Sequence, residues 1–415
     1  MRLKSPPKLS VPEAPVPLGR PFVVGTELGY IARAVASGRL AGDGEFTRGC
    51  ARLLERRLGG GGRVLMTPSC TAALELAAIV CGLGPGDEVI VPSFSFVSSA
   101  NAVVRVGARP VFIDVRPDTL NMDETLIEPA VTPKTRAVMP VHYAGVACEM
   151  DGVMAAARSR NLFVIEDAAQ AVGASYRGRP LGSIGDQGAF SFHETKNFTC
   201  GEGGALSVNG PSFLKRAEIV RDKGTNRGEF LRGEVDKYTW VDVGSSYLPS
   251  ELCSAYLLAQ LEAMDEIQRR RWAVAATYDG LLAPLEARGL IRTPVAPPEC
   301  RGNAHIYYVL LEDEPTRDAV MESLRRDGIG AAFHFVPLHT SPMGRSLGYR
   351  RGDLPVTEEM SGRLLRLPSF VGITEGEQAR VADRLAEALD RVAGGARTYA
   401  TRATRVAENY DEFLT

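Results

Sequence analysis

From Arg63 to about Val208 the chain repeats one pattern, a short apolar run rich in β-branched residues followed by a stretch with helical spacing. RVLMT, EVIVP, ARPVFIDV, RAVMPVHY, LFVIEDA, GAFSFH and GALSV are apolar at successive rather than alternate positions, which predicts strands buried on both faces. Between them CTAALELAAIVCGLG, VSSANAVVRVG and MDGVMAAARSRN predict helices, several closed by glycine or asparagine. Such an alternation buries its apolar faces as a mostly parallel sheet wrapped by helices on both sides. In sheets of that kind, ligands sit at the carboxyl ends of the strands.

The chain of 415 residues is long enough for a second unit beyond this sheet. From Ser250 to about Leu285 apolar residues keep helical spacing with charges opposite them, a long stretch suited to joining two domains. After Pro298, AHIYYVLLE, a helix around RDAVMESLRRDG, AAFHFVP and a final helix around GEQARVADRLAEALDRV predict a smaller α+β domain. The expected division is an extended arm over 1–20, a large domain over 21–270, a small domain over 271–395 and a polar tail over 396–415.

Basic and acidic residues nearly balance, 48 against 50, for a formal charge of −2, so no global field favours a polyanion and no nucleic-acid partner is expected. The opening MRLKSPPKLSVPEAPVPLGRP has several prolines and no apolar core, which excludes a signal peptide or membrane span at this position. The cysteines are scattered, with no CxxC pair or zinc-like spacing, so reduced thiols, a cytoplasmic location and no metal site are expected.

Only seven lysines occur, so each one carries information. Lys4 and Lys8 lie in the arm, Lys134 follows a proline, and Lys215 and Lys223 read as parts of a charged helix. Lys196 differs: it follows the apolar strand GAFSFH and precedes the small-residue run CGEGGAL. Two readings are open, a solvated lysine in a turn, or an amine kept neutral by desolvation and available to form a Schiff base. Asp167 ends the strand LFVIEDA, either as the cap of the following turn or as the partner of a protonated heteroaromatic nitrogen. In TPSCTAALELAAI, Ser69, Cys70 and Thr71 stand between a strand and the first turn of a helix, which is an ordinary N-cap or a seat for a phosphate.

Taken together, FSFHETKNFTCGEGGAL, VIEDAAQAVGASYRGRPLG, TPSCTAALELAA, EVIVPSFSFVSSANAV and PVHYAGVACEMD resemble the nucleotide-sugar aminotransferases of the DegT/StrS family. The likeness runs from about Pro21 to about Val392. VVGTELGYIARAVASGRLAGDGEFTR, DKGTNRGEFLRGEVDKYTWVDVGSSYLPSEL and AAFHFVPLHTSP are similar to the subgroup that aminates TDP-4-keto-6-deoxyglucose.

The resemblance implies an aspartate-aminotransferase-like α/β architecture of fold type I, with a seven-stranded sheet in the large domain, and pyridoxal 5'-phosphate as cofactor. It also implies a homodimer with shared active sites, a nucleotide-sugar substrate and an amino-acid donor, glutamate. Lys196 matches the Schiff-base lysine, Asp167 the pyridine-nitrogen partner, Gln170 a polar residue beside the ring, Phe96 the stacking aromatic and Ser191 a phosphate-binding hydroxyl, with Cys70 and Thr71 on the phosphate turn. Many relatives carry GYNYRM, whose asparagine reaches the partner's phosphate. Here GSSYLP leaves Ser245 and Ser246 as substitutes. Lys237, Arg232 and Tyr238, on a segment read as a long loop, are expected to grip the neighbour's ligand, and His334 and His339 either line the sugar pocket or serve the fold.

Two rivals remain at this stage. A sugar dehydratase on the same fold replaces the lysine by histidine, which HETKN does not. A non-enzymatic regulator binding DNA would need a basic run or a helix-turn-helix, and neither is present.

Overall fold

The computed structural model describes residues 14–392. Residues 1–13 of the expected arm, and the expected tail, lie outside the described residues. The seven apolar runs form one sheet: β1 (Arg63–Thr67), β2 (Glu88–Pro92), β3 (Arg109–Ile113), β4 (Thr135–Val138), β5 (Phe163–Asp167), β6 (Gln187–Ser191) and β7 (Gly204–Val208). Their order is β1-β7-β6-β5-β4-β2-β3. Only β7 runs antiparallel to its neighbours, so the sheet is mostly parallel and the carboxyl ends of the other six strands share one edge.

The pleat assigns side chains to the two faces. Val64, Met66, Ile90, Val138, Val164 and Phe190 pack into one core, and Leu65, Val89, Val91, Ala137, Ile165 and Ala189 into the other. The first core is covered by helices including α2 (Glu45–Arg57), with Cys50 and Leu54, and α5 (Met150–Ser159), with Met150 and Val153. The second is covered by α3 (Cys70–Val80), α4 (Val97–Arg105) and α6 (Pro211–Arg221). With α1 (Glu27–Ala36) preceding α2, the large sheet is covered by helices on both faces, as in an α/β fold.

The stretch after Ser250, which reads as one run, is two helices, α7 (Glu251–Glu262) and α8 (Met264–Ala287), separated at Ala263. Its apolar positions change partners along the way: Leu257, Leu261, Met264 and Ile267 belong to the sheet core, while Val274, Tyr278, Leu282 and Leu285 belong to a separate core. The 270/271 boundary expected from sequence falls inside α8. The separate core also holds Val16, the helix α9 (Glu314–Arg326), a two-stranded sheet of β8 (Tyr307–Leu310) and β9 (Leu364–Leu367), and the helix over 375–392.

Three local expectations change. The segment 225–240 is not all loop, because Arg227–Leu231 forms a short helix closed by the Phe230 N–H to Asn226 carbonyl bond. Lys223 lies past the end of α6, which stops at Arg221. AAFHFVP contributes one bridge among the described residues, Ala332 to Arg366, on the edge of β9 away from β8.

Adjacent residues of β5 face opposite ways, and Glu166 is fully buried on the side away from α3. Its carboxylate accepts from the backbone N–H groups of Gly182 (2.7 Å), Ile184 (2.7 Å) and Gly185 (2.7 Å). His142 completes the set at 2.9 Å. The Cys148 N–H donates to His142 Nδ1, so the imidazole proton is on Nε2 and points at Glu166. Glu166→Gln would aim an amide N–H₂ at one of these donors. The expected loss is about 1–3 kcal/mol, the scale of a buried donor left unsatisfied, seen as an earlier midpoint in chemical denaturation.

Candidate active site

A cavity of about 480 Å³ opens at the carboxyl edge of the sheet. Its floor is the β1–α3 turn (Ser69, Cys70, Thr71), its inner wall Asp167 and Ser191, and one side the turn that carries Lys196. The opposite wall comes from the C-terminal half of the chain: His305, His334, Phe335 and Arg366.

Asp167 is 5% exposed and engaged through both oxygens. Oδ2 accepts from Ser99 Oγ at 2.6 Å and Oδ1 from the Ala169 N–H at 3.1 Å. The turn-capping role is therefore real, and it leaves the carboxylate at the cavity wall. Lys196 sits at the end of a hairpin tip. There the Phe192 N–H donates to the Gly203 carbonyl (2.8 Å), Glu194 to Gly201 (2.8 Å) and Lys196 to His193 (2.9 Å). Desolvation holds the Lys196 ammonium below its ordinary pKa, with Arg366 pushing the same way and Cys70 and Asp167 opposing.

The start of α3 has the geometry of an anion seat. Ser69 is its N-cap, accepting from the Ala72 N–H at 3.1 Å. Among the described residues no partner for the Cys70 or Thr71 N–H is found. Thr71 Oγ1 meets Ser98 Oγ at 2.7 Å. Backbone comes unusually close at this point, since a Cβ added to Gly204 would lie 2.4 Å from the Cys70 nitrogen.

Phe96 and Gln170 also line the cavity. The Phe96 ring is 59% exposed, an apolar face free to take a flat ring. Gln170 Oε1 accepts from the Ala144 N–H at 2.7 Å. His334 lines the cavity, its Nδ1 3.0 Å from Tyr143 Oη, and burial followed by the charges of Arg366 and Lys196 drives its pKa far down, so the ring is neutral.

His339, expected to line the pocket or serve the fold, does the second. It is fully buried outside the cavity lining, with Nδ1 at 2.7 Å from Ser93 Oγ and Nε2 at 2.9 Å from Glu358. Ser245, Ser246, Arg232, Lys237 and Tyr238 are exposed and do not line the cavity. Arg232 pairs with Glu218 (3.0 Å) and Glu234 (2.8 Å) on the surface. Sequence reasoning missed His193, Glu202, His305 and Arg366, all in the lining.

Residues 24–386 match the DegT/DnrJ/EryC1/StrS aminotransferase family. The chain belongs to this family. GDP-perosamine synthase of Caulobacter vibrioides is 39% identical over 324 residues, covering 78% of this chain and 83% of that protein. Among solved structures, DesI in the presence of its TDP-sugar product is 32% identical, with a TM-score of 0.83 over 94% of this chain and 96% of that one. DesV of S. venezuelae, in complex with a ketimine intermediate, is 32% identical with a TM-score of 0.82, covering 91% and 99%. This protein is accordingly a pyridoxal-phosphate-dependent aminotransferase.

The residues present fit that cofactor. Two unclaimed N–H groups at a helix start suit its phosphate, a buried and fully satisfied carboxylate suits its ring nitrogen, and a desolvated amine suits its aldehyde. No helix among the described residues is long and apolar enough to cross a membrane.

The depressed Lys196 pKa makes a stability prediction for cofactor-free protein. The unfolded chain binds the proton up to 10.5 and the folded chain only to a lower pH, so folding pays a penalty that is complete below the folded value. Lys196→Met should therefore be more stable than the native chain at neutral pH. The gap should shrink as pH rises through the window up to 10.5, as followed by parallel denaturation series, and a gap independent of pH would contradict the depressed value.

Proposed function

We propose that the chain transfers an amino group from glutamate to the 4-keto carbon of TDP-4-keto-6-deoxy-D-glucose, yielding a TDP-4-amino-4,6-dideoxy sugar. The observation that carries this reading is Lys196, desolvated and facing the same cavity as Asp167. Support for a nucleotide-linked sugar comes from the names of GDP-perosamine synthase and of DesI with its TDP-sugar product. The thymidine base rests on the subgroup resemblance and on DesI.

Pyridoxal phosphate, when bound, supplies the electron sink that makes a carbon-bound proton removable. Lys196 Nζ takes the proton leaving the donor's α-carbon in one half of the reaction and returns a proton to sugar C4 in the other. Asp167, anchored by the Ser99 hydroxyl and the Ala169 N–H, would hold the ring-nitrogen proton of the bound cofactor. Phe96 would cover one face of the cofactor ring with Gln170 beside it, and Cys70, Thr71, Ser69 and Ser191 would hold its phosphate. Desolvation lowers the Lys196 pKa and so makes its amine a more available base than that of a solvated lysine. A dehydratase is disfavoured because position 196 is lysine rather than histidine.

The loaded protein should aminate TDP-4-keto-6-deoxyglucose faster than the GDP-linked 4-keto sugar, with the product's configuration read from NMR coupling constants. Preference for the GDP sugar would overturn the base assignment. Lys196→Ala should lose the visible absorbance and at least about 10³-fold in turnover, the scale of a removed acid–base group. Retained absorbance would show that another lysine holds the cofactor.

A homodimer with shared sites is part of the same proposal. Around the loop, Leu231 (68% exposed), Tyr238 (53%) and Trp240 (79%) present a cluster of exposed apolar side chains. Arg232, Lys237, Tyr238 and Ser246 are then positioned to serve the neighbour's cavity rather than their own. Mixing Lys196→Ala chains with chains carrying Lys237→Ala and Tyr238→Ala should restore one intact site per heterodimer. Heterodimers that form by mass spectrometry yet show no recovered activity would assign the loop to its own subunit.

A further inference from the structure

Two neutral histidines, His305 and His334, line the cavity, and the mechanism above gives neither of them work. His305 is 5% exposed and sits just before β8. Ala304, the residue preceding it, holds a left-handed backbone with φ of 50°, which a residue with a side chain rarely adopts. Arg271 fixes that turn by donating to the Ala304 and His305 carbonyls at 3.1 Å and 2.5 Å. The imidazole thereby reaches Asn197, on the hairpin tip that carries Lys196.

Hydrogen bonding settles which ring nitrogen carries the proton. The Asn303 carbonyl can only accept, so the Asn197 amide turns its N–H₂ to it at 3.0 Å and its Oδ1 to the His305 ring. His305 Nδ1 lies 2.9 Å from that Oδ1 and is therefore the donor. Burial and the charges of Lys196, Arg271 and Arg366 keep the ring neutral, so Nε2 carries a lone pair. No hydrogen bond to that nitrogen is found among the described residues. His334 is set the other way. The fully buried Tyr143 hydroxyl finds its acceptor in His334 Nδ1 at 3.0 Å, which leaves the His334 proton on Nε2. Of the two rings, only His305 offers an acceptor.

A water-sized recess of about 10 Å³ shows what that acceptor faces, since Lys196 and His305 line it together, with Ser191, Gln170 and Asn303. Lys196 Nζ makes no hydrogen bond or ion pair among the described residues. The carboxylates of the main cavity are engaged or distant: Asp167 is held by Ser99 and Ala169, and Glu202 stands 72% exposed beside His193.

We infer that His305 is a positioning residue for Lys196: its Nε2 accepts from one N–H of the lysine amine, directly or through one water in the recess, and so turns the amine's lone pair toward the reacting carbon. This deepens the transaminase reading and rests on it. A primary amine free to spin about its last bond is misdirected for most of the time, whereas one held N–H leaves the lone pair a narrow arc. Burial makes His305 a poor base, so it takes no proton from the lysine and acts only on direction.

The test uses two amides that each copy one ring nitrogen. His305→Asn keeps a donor near the Nδ1 position, and with it the tie to Asn197, and removes the acceptor. His305→Gln brings a carbonyl oxygen to the Nε2 position and gives up the tie. In loaded protein mixed with glutamate in single turnovers, the asparagine variant should lose about 10²-fold in the saturating rate, the scale of a misplaced reacting group. Its half-saturating glutamate concentration should stay within about twofold of native. The glutamine variant should regain at least about tenfold of that loss. Equal losses in the two variants, or a raised half-saturating concentration at the native rate, would overturn the inference.

A readout independent of turnover is the imidazole nitrogen NMR spectrum of the full chain loaded with pyridoxamine phosphate, in which Lys196 is free. The chain has five histidines, so each signal can be assigned by substitution. His305 should show a pyrrole-type Nδ1 and a pyridine-type Nε2. Lys196→Met should move the Nε2 signal toward that of an unbonded nitrogen while the signals of His142 and His339 stay. A protonated Nε2, or an Nε2 signal indifferent to Lys196, would rule the contact out. If native protein does not react with glutamate at all, the donor assignment of the functional reading fails by itself, and the imidazole spectrum still decides whether His305 holds the lysine.

Discussion

The pleat of a single strand organises this molecule's chemistry. Two carboxylates stand next to each other on β5, and because successive side chains point to opposite faces, they enter unrelated environments. Glu166 goes to the side of α5 and is fixed by three backbone N–H groups and His142. It ties the 182–185 turn to the strand and leaves no freedom for β5 to slide. Asp167, held by Ser99 and Ala169, is then presented to the cavity. A one-residue slip would exchange the two and place the structural carboxylate in the site.

The cavity is built between two separately packed cores, and its electrostatics reflect that origin. The sheet contributes the carboxylate, the hydroxyls and the helix start. The smaller core contributes Arg366 on β9, with His305 and His334 coming from the segments beside it. Burial keeps both histidines neutral, so the positive charge of the lining belongs to Lys196 and Arg366. Asp167 and Glu202 oppose it from the lining. The cavity thus carries charges of both signs, with cations available to ligands that carry carboxylates or phosphates.

Most of the sheet was legible because strands buried on both faces cannot hide in a sequence: seven apolar runs became seven strands, with ends shifted by a residue or two except in β4, which stops at Val138 while the run goes on to Tyr143. Lys196 and Asp167 stood out for the same reason, as charged residues at the ends of such runs. What escaped has physical causes. The role of Glu166 is not legible in LFVIEDA, since its partners arrive from the 182–185 turn and from His142. Arg366 interrupts the apolar run LLRLP, which therefore did not read as a strand, although the interruption marks the cavity face. The break at Ala263 has no glycine or proline to announce it, and it follows from a change of packing partner that sequence spacing does not encode. His339 stood near the other site histidines in sequence, yet both ring nitrogens are taken by Ser93 and Glu358.

The contact between β7 and α3 sets a limit on how this site can diversify. At Gly204 an added carbon would come within 2.2 Å of the Ser69 carbonyl carbon, so the floor of the cavity is made of backbone against backbone with no slack. The side chains around the rim can be exchanged for others of different size and charge without moving that floor. A lineage built on this scaffold is therefore free to change what it recognises, while position 204 is closed to every residue that carries a side chain.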